Sequence, residues 1–136
     1  MPETTAQLAE AIHAMSKLSW RQTAKETSDL TESEYLALDH LVQSGTSTVG
    51  KITEAIGVLP AQMSRIIRRI EQAGFVSGAI NPDDKRRVDI SISKKGKQVH
   101  TKYRKAKLAP LIEALERLTP EERSQFMSLV GRMRGE

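Results

Sequence analysis

Apolar positions along the chain follow a helical period in six stretches and a period of two in one. Leu8, Ile12 and Met15 recur at i, i+4 and i+7, which predicts an amphipathic helix over residues 4–18 with room to continue past Trp20. A second helix starts at Thr31, where Glu34 three residues on completes a capping box. Tyr35, Leu38, Leu41 and Val42 supply its buried stripe, and Ser44-Gly45 end it. Thr48 is placed to cap a short helix from Val49 to Ile56, closed by Gly57. Pro60 then opens a fourth helix, where its missing N–H is harmless, and Gly74 stops that helix after Ala73.

Beyond Gly74 the period changes. Val88, Ile90 and Ile92 alternate with Asp89 and Ser91, the pattern of a half-buried strand, and Phe75 to Ile80 reads as its antiparallel partner. Asn81-Pro82-Asp83-Asp84 between them is turn chemistry. Ser93 is placed to cap a long helical stretch whose interior holds Pro110, so a kink or a break is expected there. Thr119-Pro120-Glu121-Glu122 is a second capping box, opening a last helix with Phe126, Leu129, Val130 and Met133 on one face. The expected fold is mainly α with a small antiparallel β-hairpin, the order of a winged helix-turn-helix. It is expected as a single domain over 1–136: an N-terminal helical segment 1–28, the winged helix-turn-helix 30–93, and C-terminal helices 94–136.

Composition adds little until charge is located. The 136 residues are 38% hydrophobic and 28% charged with no cysteine, so thiol chemistry and Cys-ligated zinc are excluded. No apolar run is long enough for a membrane span and the N-terminus lacks a secretory pattern, so a cytoplasmic protein without membrane contact is expected. The net charge of +4 conceals a net of −4 over residues 1–60, +9 over 61–107 and −1 over 108–136. A basic block inside a folded domain fits a polyanion, and also a solvated lysine-rich surface.

The fourth helix separates these readings. Met63, Ile66, Ile67 and Ile70 form one stripe, while Gln62, Arg65, Arg69 and Gln72 lie opposite, with Arg68 beside them and Ser64 near the start. Arginine forks onto guanine and glutamine pairs with adenine in the major groove. Ala61, Gln62, Ser64 and Arg65 are therefore expected at base edges, and Arg68 and Arg69 at phosphates. The hairpin tip Asp84-Lys85-Arg86-Arg87 is the second expected DNA contact: a guanidinium on a narrow ribbon suits a minor groove, and Asp84 can pair with Arg86 to hold the tip in shape.

These residues resemble a known family. Asp84-Lys85-Arg86, the alternating strand, then Ser93-Lys94-Lys95-Gly96 is similar to the wing signature of the MarR family, in which an Asp-x-Arg tip precedes a strand and a Leu-Thr-x-x-Gly step. Ser64-Arg65 and Glu71-Gln72-Ala73-Gly74 are similar to the family's recognition helix and its exit into the wing. The likeness covers residues ~30–133 and departs at Gly78, where a basic residue is frequent, at Thr53, and at Leu59-Pro60, which replaces a serine start. The resemblance implies a transcriptional regulator that reads double-stranded DNA as a homodimer, a repressor on a pseudo-palindromic operator. It also implies a small-molecule effector of unknown identity. Trp20, Arg21, Tyr35 and Tyr103 could line such a cleft, but packing or a surface position is the plainer reading of each.

The sequence fits a dimer independently. Leu8, Ile12 and Met15, then Leu111 and Leu115, then Phe126, Leu129, Val130 and Met133 form apolar stripes too extensive for a small winged domain to cover. These nine residues are the expected interface. His13, His40 and His100 are scattered and no phosphate loop, nucleophile elbow or metal-ligand spacing occurs, so neither an enzyme, a metal nor a cofactor is expected. The alternative is a winged helix that binds protein or structured RNA without reading DNA sequence.

Overall fold

A computed structural model of the protein describes residues 4–26 and 30–136, with the side chains of residues 19–26 outside that description. The elements run α1 (Thr5–Glu26), α2 (Glu32–Ser44), β1 (Ser47–Thr48), α3 (Val49–Ile56), α4 (Pro60–Gln72), β2 (Val76–Ile80), β3 (Val88–Ile92), α5 (Lys94–Leu115) and α6 (Pro120–Met133). They group into two compact units. One holds α2 to β3 with the first half of α5, ending at Arg104; the other holds α1, the second half of α5 and α6.

Local chemistry sets the boundaries. The Thr31 hydroxyl accepts from the Glu34 amide, and the Glu34 carboxylate accepts from the Thr31 amide at 2.8 Å. Thr119 and Glu122 repeat that box at α6. Thr48 caps α3. Leu59 precedes α4 and has no side-chain acceptor, so half a box forms instead: Gln62 Oε1 accepts from the Leu59 amide at 3.0 Å. At the other end of α4, Gly74 takes φ 81°. There the Phe75 amide donates to the Ile70 carbonyl and the Gly74 amide to that of Glu71, which turns the chain into β2.

The sheet has three strands, not the two of the expected hairpin. Its order is β1-β3-β2, all antiparallel, with Ser47 opposite Ile90 and Gly78 opposite Ile90 on the other side. A two-residue strand carries no readable periodicity, and only its pairing with β3 defines it. The helix expected over 4–18 continues to Glu26. Pro110 lies inside an unbroken α5, so of the expected kink or break the break does not occur. Proline removes one hydrogen bond, which the rest of a 22-residue helix outweighs.

The core of the winged unit is formed by Leu38 and Leu41 of α2, Ile52 of α3, Met63 and Ile70 of α4, and Ile90 of β3, all fully buried. Each contributes on the order of 1.5–3 kcal/mol by removal from water. Val42, expected in the α2 stripe, is 44% exposed, and Ala37 is buried in its place. Tyr35 stacks between Tyr103 and His100 at centroid separations of 4.6 and 5.1 Å. Tyr103 Oη donates to Glu32, and His100 Nε2 lies 2.8 Å from Asp39 Oδ1, so polar pairs join α2 to the start of α5. Burial first, and then the Glu32 carboxylate, pushes the Tyr103 phenol above its ordinary pKa.

Candidate nucleic-acid interface

The polar face of α4 is the centre of the site. Met63 and Ile70 are buried and Ile66 and Ile67 pack partly against the core, so the helix has one possible orientation about its axis. That orientation leaves Ala61, Gln62, Ser64, Arg65, Arg68, Arg69 and Gln72 exposed. Gln62 is held by its bond to the Leu59 amide, and Ser64 Oγ donates to the Pro60 carbonyl at 3.2 Å.

Arg69, expected at a phosphate, is also paired within the protein. Its Nε lies 3.1 Å from Oε2 of Glu34, whose side chain is 3% exposed. Glu34 thus caps α2 with one oxygen and pairs with α4 through the other. The sequence revealed the cap and hid the pair, because residues 34 and 69 lie far apart in the chain. Arg69→Ala would leave a buried carboxylate short of a partner. Half of Arg69 faces solvent, so the expected loss is about 1–2 kcal/mol rather than the full cost of a buried pair. Calorimetry should show a melting temperature several degrees lower for Arg69→Ala and an unchanged one for the surface variant Arg68→Ala.

The wing tip is built by Asn81. Its Oδ1 accepts from the Asp83 and Asp84 amides at 2.8 and 3.2 Å, and its Nδ2 donates to Asp89 Oδ2 at 2.9 Å. Asp84 Oδ1 accepts from the Arg86 amide at 3.1 Å and lies 3.3 Å from Arg86 Nε. With the Arg86 side chain 92% exposed, this pair contributes shape rather than stability. Lys85 and Arg87 are exposed beside it. Gly78, where a basic residue is frequent, faces the partner strand closely: a Cβ there would sit 3.2 Å from Val88 Cγ1 and 3.4 Å from Ile90 Cδ1.

Of the expected interface residues, Leu8, Ile12, Met15, Phe126, Leu129 and Met133 are 43–71% exposed. Leu111, Leu115 and Val130 are half-buried, and no residue of α6 is buried. Of the residues considered for an effector cleft, Tyr35 and Tyr103 belong to the core stack, and the Trp20 and Arg21 side chains lie outside the described residues. Among the described residues no helix is long and apolar enough to cross a membrane.

Known proteins share this arrangement. The MarR family model matches residues 30–88. An uncharacterized HTH-type transcriptional regulator of Mycobacterium bovis, Mb0904, is 32% identical over 102 residues, covering 75% of this chain and 71% of its own. A MarR family protein from Bacillus stearothermophilus superposes with a TM-score of 0.84 at 21% identity, over 96% of this chain and 90% of that one. BpsR of Bordetella bronchiseptica, whose DNA binding is regulated by 6-hydroxynicotinic acid, does so with a TM-score of 0.72 at 18% identity, over 98% and 95%. A winged helix-turn-helix with a basic recognition helix, carried on a chain so related, is a DNA-binding regulator and not an enzyme. The chain belongs to the MarR family of HTH-type transcriptional regulators.

Proposed function

We propose that this regulator is a homodimeric repressor that recognises a pseudo-palindromic operator by sequence. The observation that carries the reading is α4 itself: an apolar stripe turned to the core and a Gln62, Ser64, Arg65 and Arg68 face left to solvent. On this reading Ala61, Gln62, Ser64 and Arg65 meet base edges and Arg68 a phosphate. Arg86 enters a minor groove, with Asp84 shaping the tip and Lys85 and Arg87 on the backbone. Arg69 is left out of the contact set because its Nε is committed to Glu34.

The exposed apolar residues of α1 and α6 support the dimer, because a second copy buries them without any other partner. Two copies would present two α4 helices to major grooves about 34–36 Å apart. Repression then follows from occluding promoter DNA. The likeness to BpsR supports a small-molecule effector for this chain as well. The proposed place of action is the cytoplasm, with its DNA.

Selection from a random duplex pool, followed by binding at several salt concentrations, tests the reading. An inverted repeat with half-sites about one turn apart, and affinity falling steeply with salt, is the expected result. Salt-sensitive binding with no enriched motif would leave an architectural or RNA-binding role. Sedimentation is expected to give a dimer at micromolar protein, and a monomer would overturn the two-half-site mechanism.

A further inference from the structure

Gln62 has only half of its side-chain amide left for a base. Its Oε1 accepts from the Leu59 amide at 3.0 Å. A backbone N–H can only donate, so the atom that faces it is the oxygen and not the nitrogen. The Nε2 group, with two N–H donors and no acceptor, is what remains for the groove.

The cause lies at the start of α4. Leu59 stands at the cap position without a side-chain acceptor, and Gln62 is the third residue of the helix. The side-chain bond that closes this end is therefore the one Gln62 makes back to the Leu59 amide. Gln62 is exposed, and the helical repeat sets it on one flank of Arg65.

This bond bears on which base the residue reads. Adenine shows the acceptor N7 and the donor N6 side by side in the major groove, and glutamine matches it by turning both its oxygen and its nitrogen to that edge. Guanine shows two acceptors, N7 and O6. A glutamine whose oxygen is held at the helix start fits guanine better. Turning the oxygen to adenine would break the bond to Leu59, and donating to guanine leaves it intact.

We propose that the start of α4 sets a base preference of the operator: held by Leu59, Gln62 acts as a donor and selects guanine, where an unheld glutamine selects adenine. Leu59 is a positioning residue that acts through its backbone amide. The proposal rests on the DNA-reading function proposed above, and replaces the adenine pairing expected of a glutamine there.

The test uses the full-length protein and selection from a random duplex pool. Gln62→Ala identifies the base pair that Gln62 reads, as the operator position whose preference it relaxes. In the parent that position is expected to be G·C, and an operator with A·T there is expected to bind about five-fold more weakly. Leu59→Pro removes the amide donor and changes no charge. The backbone at Leu59, φ −74° and ψ 150°, suits both a proline and a residue that precedes one. This variant is expected to move the same position to A·T and to leave the other positions as they are. The base pair of the parent decides alone if the proline lowers the melting temperature.

An A·T pair at that position in the parent would overturn the proposal. So would a Leu59→Pro variant that melts like the parent and keeps its G·C preference, even with weaker binding, because a merely structural role lowers affinity without changing the base. If Gln62→Ala relaxes no position, the proposal fails and base reading stays with Ser64 and Arg65. A parent that enriches no motif would overturn the DNA-reading function and this preference with it.

Discussion

Gly96→Ala is expected to lower the melting temperature of the protein by about 10–20 °C, on the usual scale of 4–8 °C per kcal/mol for a unit of this size. The cause is a close approach between backbones. An alanine Cβ at position 96 would lie 2.1 Å from the Phe75 carbonyl oxygen and 2.8 Å from Ile92 Cγ1. The Phe75 oxygen cannot retreat freely, because it accepts from the Ser93 amide at 2.9 Å while the Phe75 amide donates to Ile70. Ser93 Oγ locks the same junction, donating to the Gly74 carbonyl at 2.6 Å and accepting from the Gly96 amide at 3.0 Å. Overpacking usually costs about 1–3 kcal/mol, and the upper end applies where backbone must move. That is a large part of the 5–15 kcal/mol that typically holds a domain together. Thermal denaturation followed by circular dichroism measures it directly. The same substitution at Gly50, where the space is open, is expected to leave the melting temperature unchanged or raise it. A parent-like melt for Gly96→Ala would mean that α5 can lift away from β2 at little cost.

Arg65→Ala is expected to reduce affinity for the selected operator by about 10–100-fold, the range for losing one bidentate base contact. Its effect on a scrambled duplex should be several-fold smaller, because only the charge is lost there. Arg65 is exposed one turn into α4, on the half of the helix that reaches base edges in this geometry. Arg68→Ala should behave differently, weakening both duplexes alike and lowering the salt slope by about one. Binding titrations on both duplexes, with the melting temperature as a control for folding, separate the two roles. Equal losses on both duplexes for Arg65→Ala would move Arg65 to the phosphate set and leave base reading to Gln62 and Ser64.

Much of this regulator was legible without coordinates. Its signals are local: Thr31 and Glu34, Thr48 and Gly57, Thr119 and Glu122 each act within a few residues, and the structure has all of them in place. The two stripes of α4 were legible for the same reason, since a 3.6-residue period assigns inside and outside along one helix. The resemblance at Asp84, Arg86 and Gly96 then identified the family. What was missed came from residues distant in the chain. Ser47–Thr48 is a strand only because Ile90 and Asp89 lie opposite. Val42 is exposed because the packing around α2 selects Ala37 instead.

The sequence by itself determined the order of the six helices and the hairpin, the buried and exposed faces of α4, the charged wing tip and the family, because each rests on spacing within a short segment. Only the tertiary structure decided three other matters. It paired Arg69 with Glu34, because a buried carboxylate needs a cation beside it and the nearest one lies on another helix. It gave Gly96 its meaning, since the Phe75 carbonyl that leaves no room for a Cβ lies in the turn between α4 and β2, far away in the chain. It brought Lys51 to the same hollow as Arg86 and Arg87, although more than thirty residues separate them. Proximity of that kind is a property of the folded chain, and no period along the sequence encodes it.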